Sequence, residues 1–186
     1  TNTWATTNHI DYNGADFDQG SIQLVYTDGT TAAKTFGGLQ DVERVTFATK
    51  GGTTNGDYFV YTDYLGAKWA IGLDTLGTGA ATPTGAAWVA VAAANKAYTD
   101  ISSATSGTEV ELLINTAMAA LTGFTAVATL SDSTTHLSIT AAWSGACTPV
   151  LCYSRAGAAG TGSITTNVTT AGTSAAVNTT LNTITI

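Results

Sequence analysis

Tyr58-Phe59-Val60-Tyr61-Thr62-Asp63-Tyr64-Leu65-Gly66-Ala67-Lys68-Trp69-Ala70-Ile71-Gly72-Leu73-Asp74 decides how the rest of the chain is read. Two runs of aromatic and β-branched residues flank a short segment holding Gly66, which is the pattern of a β-hairpin. Alternate side chains of a strand share a face. Phe59, Tyr61, Trp69, Ile71 and Leu73 are therefore the expected core residues of the pair. A loop of Gly, Ala and Thr with Pro83 follows over residues 75–85, and Ala86 to Val91 around Trp88 reads as a short buried strand. Asn95 to Ile101 reads as a connection, with Ile101 packed on the core.

The next segment carries the one convincing helix, expected over residues 108–121. Ser106 with Glu109 three residues later fits a capping box. Val110, Leu113, Ile114, Ala117 and Leu121 recur at helical spacing and form one apolar stripe. Gly123 stands where a terminating glycine would. A single amphipathic helix among strands is expected to cover the sheet of its own domain.

The rest reads as strands and turns. On the N-terminal side, Ser21 to Tyr26 and Thr31 to Phe36 flank Asp28-Gly29, a hairpin turn, and Val42 to Thr49 is a further strand with Val45 and Phe47 alternating. On the C-terminal side, Phe124 to Leu130 and His136 to Trp143 are expected strands about a Ser131–Thr134 turn. Ser163 to Thr170 and Val177 to Ile186 are Thr-rich strands, separated from the preceding elements by the Ala/Gly loop of residues 155–162. The expected class is mainly β with one α-helix (α+β): an antiparallel β-sandwich, or a sheet covered by a single amphipathic helix. The expected organisation is an N-terminal arm and hairpin (1–41), a β-rich module containing the helix (42–173) and a C-terminal strand (174–186).

Composition narrows the function classes. Of 186 residues, 44% are hydrophobic, enough for a core, and only 10% are charged, far below the usual quarter or so. Net charge is −7, with six Lys and Arg scattered singly. Phosphate backbones are bound by clustered cations, so nucleic acid is not an expected partner. No apolar run reaches the ~18–20 residues of a membrane-spanning helix, so membrane insertion is not expected.

Two groups of residues are candidate sites. Asp11, Asn13, Asp16 and Asp18 gather oxygens within a short stretch, which suits a hard cation such as calcium or, equally, an Asx-rich turn between strands. Cys147 and Cys152 enclose Thr148-Pro149-Val150-Leu151. They read as a disulfide closing a small turn, which would suit an oxidising location, or as two free thiols. No catalytic residues and no cofactor are expected. His9 and His136 stand apart, neither cysteine has a His in a short motif, and no nucleophile, metallopeptidase or phosphate-loop signature occurs. The sequons Asn167-Val168-Thr169 and Asn178-Thr179-Thr180 fall within the chance expectation for so Asn- and Thr-rich a chain.

A resemblance adds to this reading. The residues are Gly56-Asp57-Tyr58-Phe59-Val60-Tyr61, Lys68-Trp69-Ala70-Ile71-Gly72-Leu73-Asp74, Pro83-Thr84-Gly85-Ala86-Ala87-Trp88, a capped helix, Thr122-Gly123-Phe124-Thr125-Ala126, Gly160-Thr161-Gly162-Ser163-Ile164-Thr165 and Thr170-Ala171-Gly172-Thr173. Over Val42 to Thr173 this order resembles a module that recurs in virion structural proteins of tailed bacteriophages and in some secreted bacterial proteins. The resemblance implies a non-enzymatic structural subunit of a virion (tail, fibre or capsid surface), with copies of itself and other virion proteins as partners. The expected location is the virion or the extracellular space. Two further readings are a subunit of an extracellular filament built by donor-strand exchange and a carbohydrate- or cell-surface-binding module. The last would use exposed aromatics such as Trp4, Tyr12 or Trp143. The strand-rich ends, free of charge and proline, point to β-strand contacts between copies.

Overall fold

The computed structural model describes residues 19–25, 31–37, 39–78, 82–133, 135–144 and 147–172, with the backbone alone for 19–25, 31–37 and 143–144. The decisive hairpin is present. Strands β4 (Tyr58–Thr62) and β5 (Lys68–Asp74) pair antiparallel, with Tyr58 opposite Gly72 and Thr62 opposite Lys68. Its five-residue loop is built by Asp63 as much as by Gly66, which takes φ +82°. Asp63 Oδ1 accepts hydrogen bonds from the Leu65 and Ala67 amides, both at 2.9 Å, and Oδ2 accepts from Trp69 Nε1 at 2.9 Å. One carboxylate thus ties the loop backbone to the strand that follows.

Upstream, β1 (Gln19–Val25) and β2 (Thr31–Gly37) form a two-stranded antiparallel sheet, so the two expected strands do pair; the register places Val25 opposite Thr31, one residue out of step with a two-residue Asp28-Gly29 turn. The remaining strands are β3 (Gln40–Phe47), β6 (Lys96–Asp100), β7 (Ala128–Asp132), β8 (Leu137–Ser144), β9 (Thr148–Tyr153) and β10 (Ile164–Thr170). With β4 and β5 they make two four-stranded sheets, in the orders β10-β3-β8-β7 and β6-β5-β4-β9. All pairs are antiparallel except β5–β6. The class is α+β and mainly β, a β-sandwich-like arrangement.

The two sheets share one core. Val45, Phe47, Leu137, Ile139 and Ile164 come from the first, and Phe59, Tyr61, Trp69, Ile71, Leu73 and Val150 from the second. Phe47 and Phe59 meet across it, with ring centroids 5.8 Å apart. All five core residues expected of the hairpin are buried. Each such large apolar side chain contributes about 1.5–3 kcal/mol when removed from water. On one side β9 touches β10; on the other, helix α2 (Gly107–Ala119) lies against β3, β6 and β7. Val110, Ile114 and Met118 of α2 are fully buried in the same core, with Leu113, Ala117 and Leu121 packed at its margin.

The helix ends follow from side chains and backbone. The Ser106 hydroxyl accepts from the Glu109 amide at 3.2 Å, as a capping serine should. The Glu109 carboxylate reaches one residue further back than a standard capping box, to the amide and hydroxyl of Thr105 at 2.5 and 2.9 Å. A Cβ on Gly107 would collide with the Phe47 carbonyl, so the helix start lies directly on the end of β3.

Four expectations are corrected. Ala86–Val89 is not a strand but a single helical turn, α1, lying within residues 75–95. A parallel strand pair cannot be joined by a tight turn and needs a crossover; these residues make it between β5 and β6. For the same reason residues 96–100, expected as a connection, form the strand β6. Phe124–Val127 is the helical turn α3 rather than the start of a strand; the strand begins at Ala128. Gly123, at φ +88°, precedes α3 and turns the chain into it, while α2 ends earlier, at the cap residue Ala120.

Candidate functional site

The two candidate sites read from sequence fare differently. Asp11, Asn13, Asp16 and Asp18 lie outside the described residues, as do the arm of residues 1–10 with Trp4, Tyr12 and the strand expected over residues 177–186. The disulfide is corrected: Cys147 and Cys152 are free thiols. Thr148 to Cys152 run in β9, not in a turn. At about 3.3 Å per residue, five extended residues carry the two cysteines roughly 16 Å apart, whereas a bridge needs Cα atoms within about 7 Å. Cys152 packs at the core margin, and burial beside Asp41 pushes the Cys147 thiol up to about 11. A thiol so raised stays protonated and is a poor nucleophile.

Four aspartates between residues 57 and 100 hold loops in place. Buried Asp57 accepts from the hydroxyls of Thr161 and Ser163, each at 2.6 Å, and so pins the loop before β10 to the start of β4. Asp63 holds the hairpin loop as described. Asp74 Oδ1 accepts from the amides of Leu76 and Gly77 at 2.9 and 3.1 Å, and Asp100 Oδ1 accepts from the Ser102 amide at 2.8 Å. Lys50 Nζ donates to the Ser102 carbonyl at 2.6 Å. Asp63, Asp74 and Asp100 thus each close a turn with a short polar side chain, the local role that suits Asp.

A different acidic group lies inside the sandwich. The inward alternation of β3 that buries Val45 and Phe47 also buries Asp41 and Glu43, which are 3% and 1% exposed. Asp41 Oδ2 accepts from the Gly172 amide at 3.0 Å and from the Cys147 amide at 3.5 Å. Asp41 Oδ1, both Glu43 carboxyl oxygens and the Tyr61 hydroxyl are buried without a hydrogen-bond partner. Burial, then the neighbouring Asp41, raises Glu43 to about 7. Burial raises the Tyr61 hydroxyl as well, with Cys147 next to it the second cause. Glu111, on the inner face of α2, is a second buried carboxyl; burial and then Asp132 raise it to about 7, against the pull of the Phe47 backbone. A carboxyl titrating near 7 has the proton affinity of a general acid or base, but both are sealed at 1% exposure. Among the described residues no group of three or more His, Cys, Asp or Glu is placed to hold a metal. No helix there is long and apolar enough to cross a membrane.

The outer face of β6-β5-β4-β9 carries an aromatic row. Register sets Tyr153, Tyr58, Gly72 and Tyr98 side by side. Tyr58 stacks on Tyr153 with centroids 5.1 Å apart, and Trp88 of α1 meets Tyr58 at 5.6 Å and Tyr98 at 5.1 Å. Gly72 leaves the hollow that Trp88 fills: a Cβ there would lie 3.3 Å from the indole and 3.1 Å from the Tyr98 ring. Lys96 closes the edge, its Nζ 5.3 Å from the indole centroid and donating to the Trp88 carbonyl at 3.1 Å. Trp88 and Tyr58 are buried, so this cluster glues the crossover to the sheet.

The first sheet faces outward differently. Thr165, Asn167 and Thr169 of β10, Arg44 and Thr46 of β3, and Thr129 and Ser131 of β7 are exposed, a polar and nearly uncharged surface. Its border is β10, sequence Ile-Thr-Thr-Asn-Val-Thr-Thr, which among the described residues pairs with β3 alone. Native edges are normally blunted by charge, proline or a bulge facing solvent. This one has neither charge nor proline, and its one register shift lies between Val168 and Thr170. Sequence reasoning found the strand, but an edge position is a property of topology and not of local pattern. Comparisons with family models, curated proteins and solved structures return no match to this chain.

Proposed function

We propose that this chain is a non-enzymatic structural subunit of a phage virion, in its tail, fibre or capsid surface, that assembles with copies of itself through β-strand contacts. The observation that carries the reading is the uncharged, proline-free edge strand β10, bordering a sheet face of Thr, Ser and Asn. Such an edge is a template for a neighbouring strand. The ordered resemblance across residues 42–173 supplies the virion context. The use of Asp57, Asp63, Asp74 and Asp100 in turns gives those acids an architectural role.

A disulfide would have suited the oxidising surroundings of an extracellular filament, and the free thiols lend that reading no such support. The aromatics named for a surface-binding module fall outside the described side chains, and the aromatic row that is described has its central rings buried.

The test is sedimentation velocity on the wild-type chain and on Thr165→Lys/Asn167→Lys, which places two cations on the exposed face of β10. Assembly of the wild type, lost in the variant with the fold retained by circular dichroism, is the expected result. Equal assembly of both proteins would remove β10 from the contact.

A further inference from the structure

Asp41 and Glu43 stand two residues apart on β3 and share its inner face. Of their four carboxyl oxygens, only Asp41 Oδ2 receives hydrogen bonds, from the amides of Gly172 and Cys147. The other three are buried without a hydrogen bond of good geometry, and the Val150 backbone of β9 stands close enough to Glu43 to pull its pKa down against burial. The titratable groups facing the pair are Tyr61 from β4 and Cys147 before β9, each of which also has Asp63 as a neighbour. β8 and β10 set the uncharged Ile139 and Val168 opposite Glu43. None of these groups supplies a positive charge.

Two ionised carboxylates can only accept hydrogen bonds, so side by side they repel. One proton turns the pair into donor and acceptor, O–H···O⁻. We propose that Asp41 and Glu43 share a single buried proton and act as a pH-operated latch on the chain at Gly172, just past the end of β10. With the proton in place, Glu43 donates to the bare Asp41 oxygen while the other oxygen holds the Gly172 amide. When the proton leaves, two buried charges repel and the Asp41 carboxylate draws toward water, releasing Gly172. Glu43 titrating at about 7 puts the release close to neutrality, with the closed form on the acid side. The latch does not depend on the assembly reading.

The test is amide hydrogen exchange on the full chain at ~pH 5.5 and ~pH 8, corrected for intrinsic exchange. The expected result is that protection of the Gly172 amide falls about tenfold or more across that interval. The Ala48 amide, bonded to the Ser163 carbonyl at 2.8 Å in the same sandwich, reports the global loss of stability over the interval, and the fall at Gly172 is expected to exceed it. Glu43→Gln, whose side-chain amide donates at every pH, should abolish the step at Gly172, and Glu111→Gln should leave it intact. Constant protection in the wild type, or a step that persists in Glu43→Gln, would overturn the latch. Should Glu43→Gln fail to fold, carbon NMR of the wild-type carboxyls decides the matter. One proton leaving the pair near neutrality supports the proposal, and two carboxyls both ionised by ~pH 5 contradict it.

Discussion

At the scale of single residues, the chain uses its few charges as architecture. Asp57 is the clearest case: one buried carboxylate accepts from two hydroxyls at 2.6 Å and joins segments more than a hundred positions apart in the chain. Hydrogen bonds to a charged group are each worth about 1.5–3 kcal/mol net. Asp57→Ala leaves the Thr161 and Ser163 hydroxyls without that acceptor and should cost ~3 kcal/mol, read as a lower urea midpoint at unchanged slope. A loss below ~1 kcal/mol would mean that the clasp is replaced by solvent. Sequence reading did not anticipate the long-range partners of Asp57, because spacing along the chain carries no information about contacts between distant loops. Asp41 and Glu43 were hidden for a related reason. The alternation seen at Val45 and Phe47 extends through them, yet a carboxylate on a core face contradicts the usual cost of burying charge.

At the scale of elements, legibility followed periodicity and length. The β4–β5 hairpin was plain, because two aromatic and β-branched runs flanking a short turn have little alternative. Helix α2 was plain too, because its apolar spacing and its Ser106 cap agree. Short elements were not. Trp88 lies in an apolar run that suits a buried strand or a helical turn equally, and only the parallel β5–β6 pairing dictates which. Lys96 to Asp100 mixes polar and apolar residues at an edge, where one-sided burial blurs the period-two signal. The dependence of the crossover on Gly72 is testable. Gly72→Val adds a branched side chain where even a Cβ meets the Trp88 and Tyr98 rings at 3.3 and 3.1 Å. It should destabilise by about 1–3 kcal/mol through overpacking, with a changed indole fluorescence. Gly162→Ala, whose Cβ would meet nothing within 4 Å, should stay within about 0.5 kcal/mol. Equal effects of the two substitutions would sink the role assigned to Gly72.

At the scale of the whole molecule, the buried acids set how stability varies with pH. Glu43 and Glu111 titrate at about 7 when folded, against 4.5 as the ordinary value. Below ~4.5 both states hold the protons and the groups cost nothing. Between ~4.5 and ~7 the unfolded chain gives up protons that the folded chain keeps, so stability falls as pH rises, then levels off. Asp100 and Glu109 are shifted the opposite way, held low by hydrogen bonds from Ser102 and Thr105; their contribution is present above their unfolded values and fades in stronger acid. Maximum stability is therefore expected on the acid side of neutrality, with ~1–3 kcal/mol lost between ~pH 5 and ~pH 8 after discounting for solvent screening. Glu43→Gln/Glu111→Gln should flatten the profile, and urea titrations across that range check it. A wild-type chain most stable at ~pH 8 would refute the assignment of both carboxyls.

The proposed role is assembly with copies of this chain through β10. Electron microscopy of the purified wild-type chain, with Thr165→Lys/Asn167→Lys imaged alongside, tests it most directly. Ordered rings, tubes or filaments are expected from the wild type, with β10 at the contact between neighbours, and dispersed particles from the variant. Dispersed monomers from the wild type at every concentration imaged would contradict it.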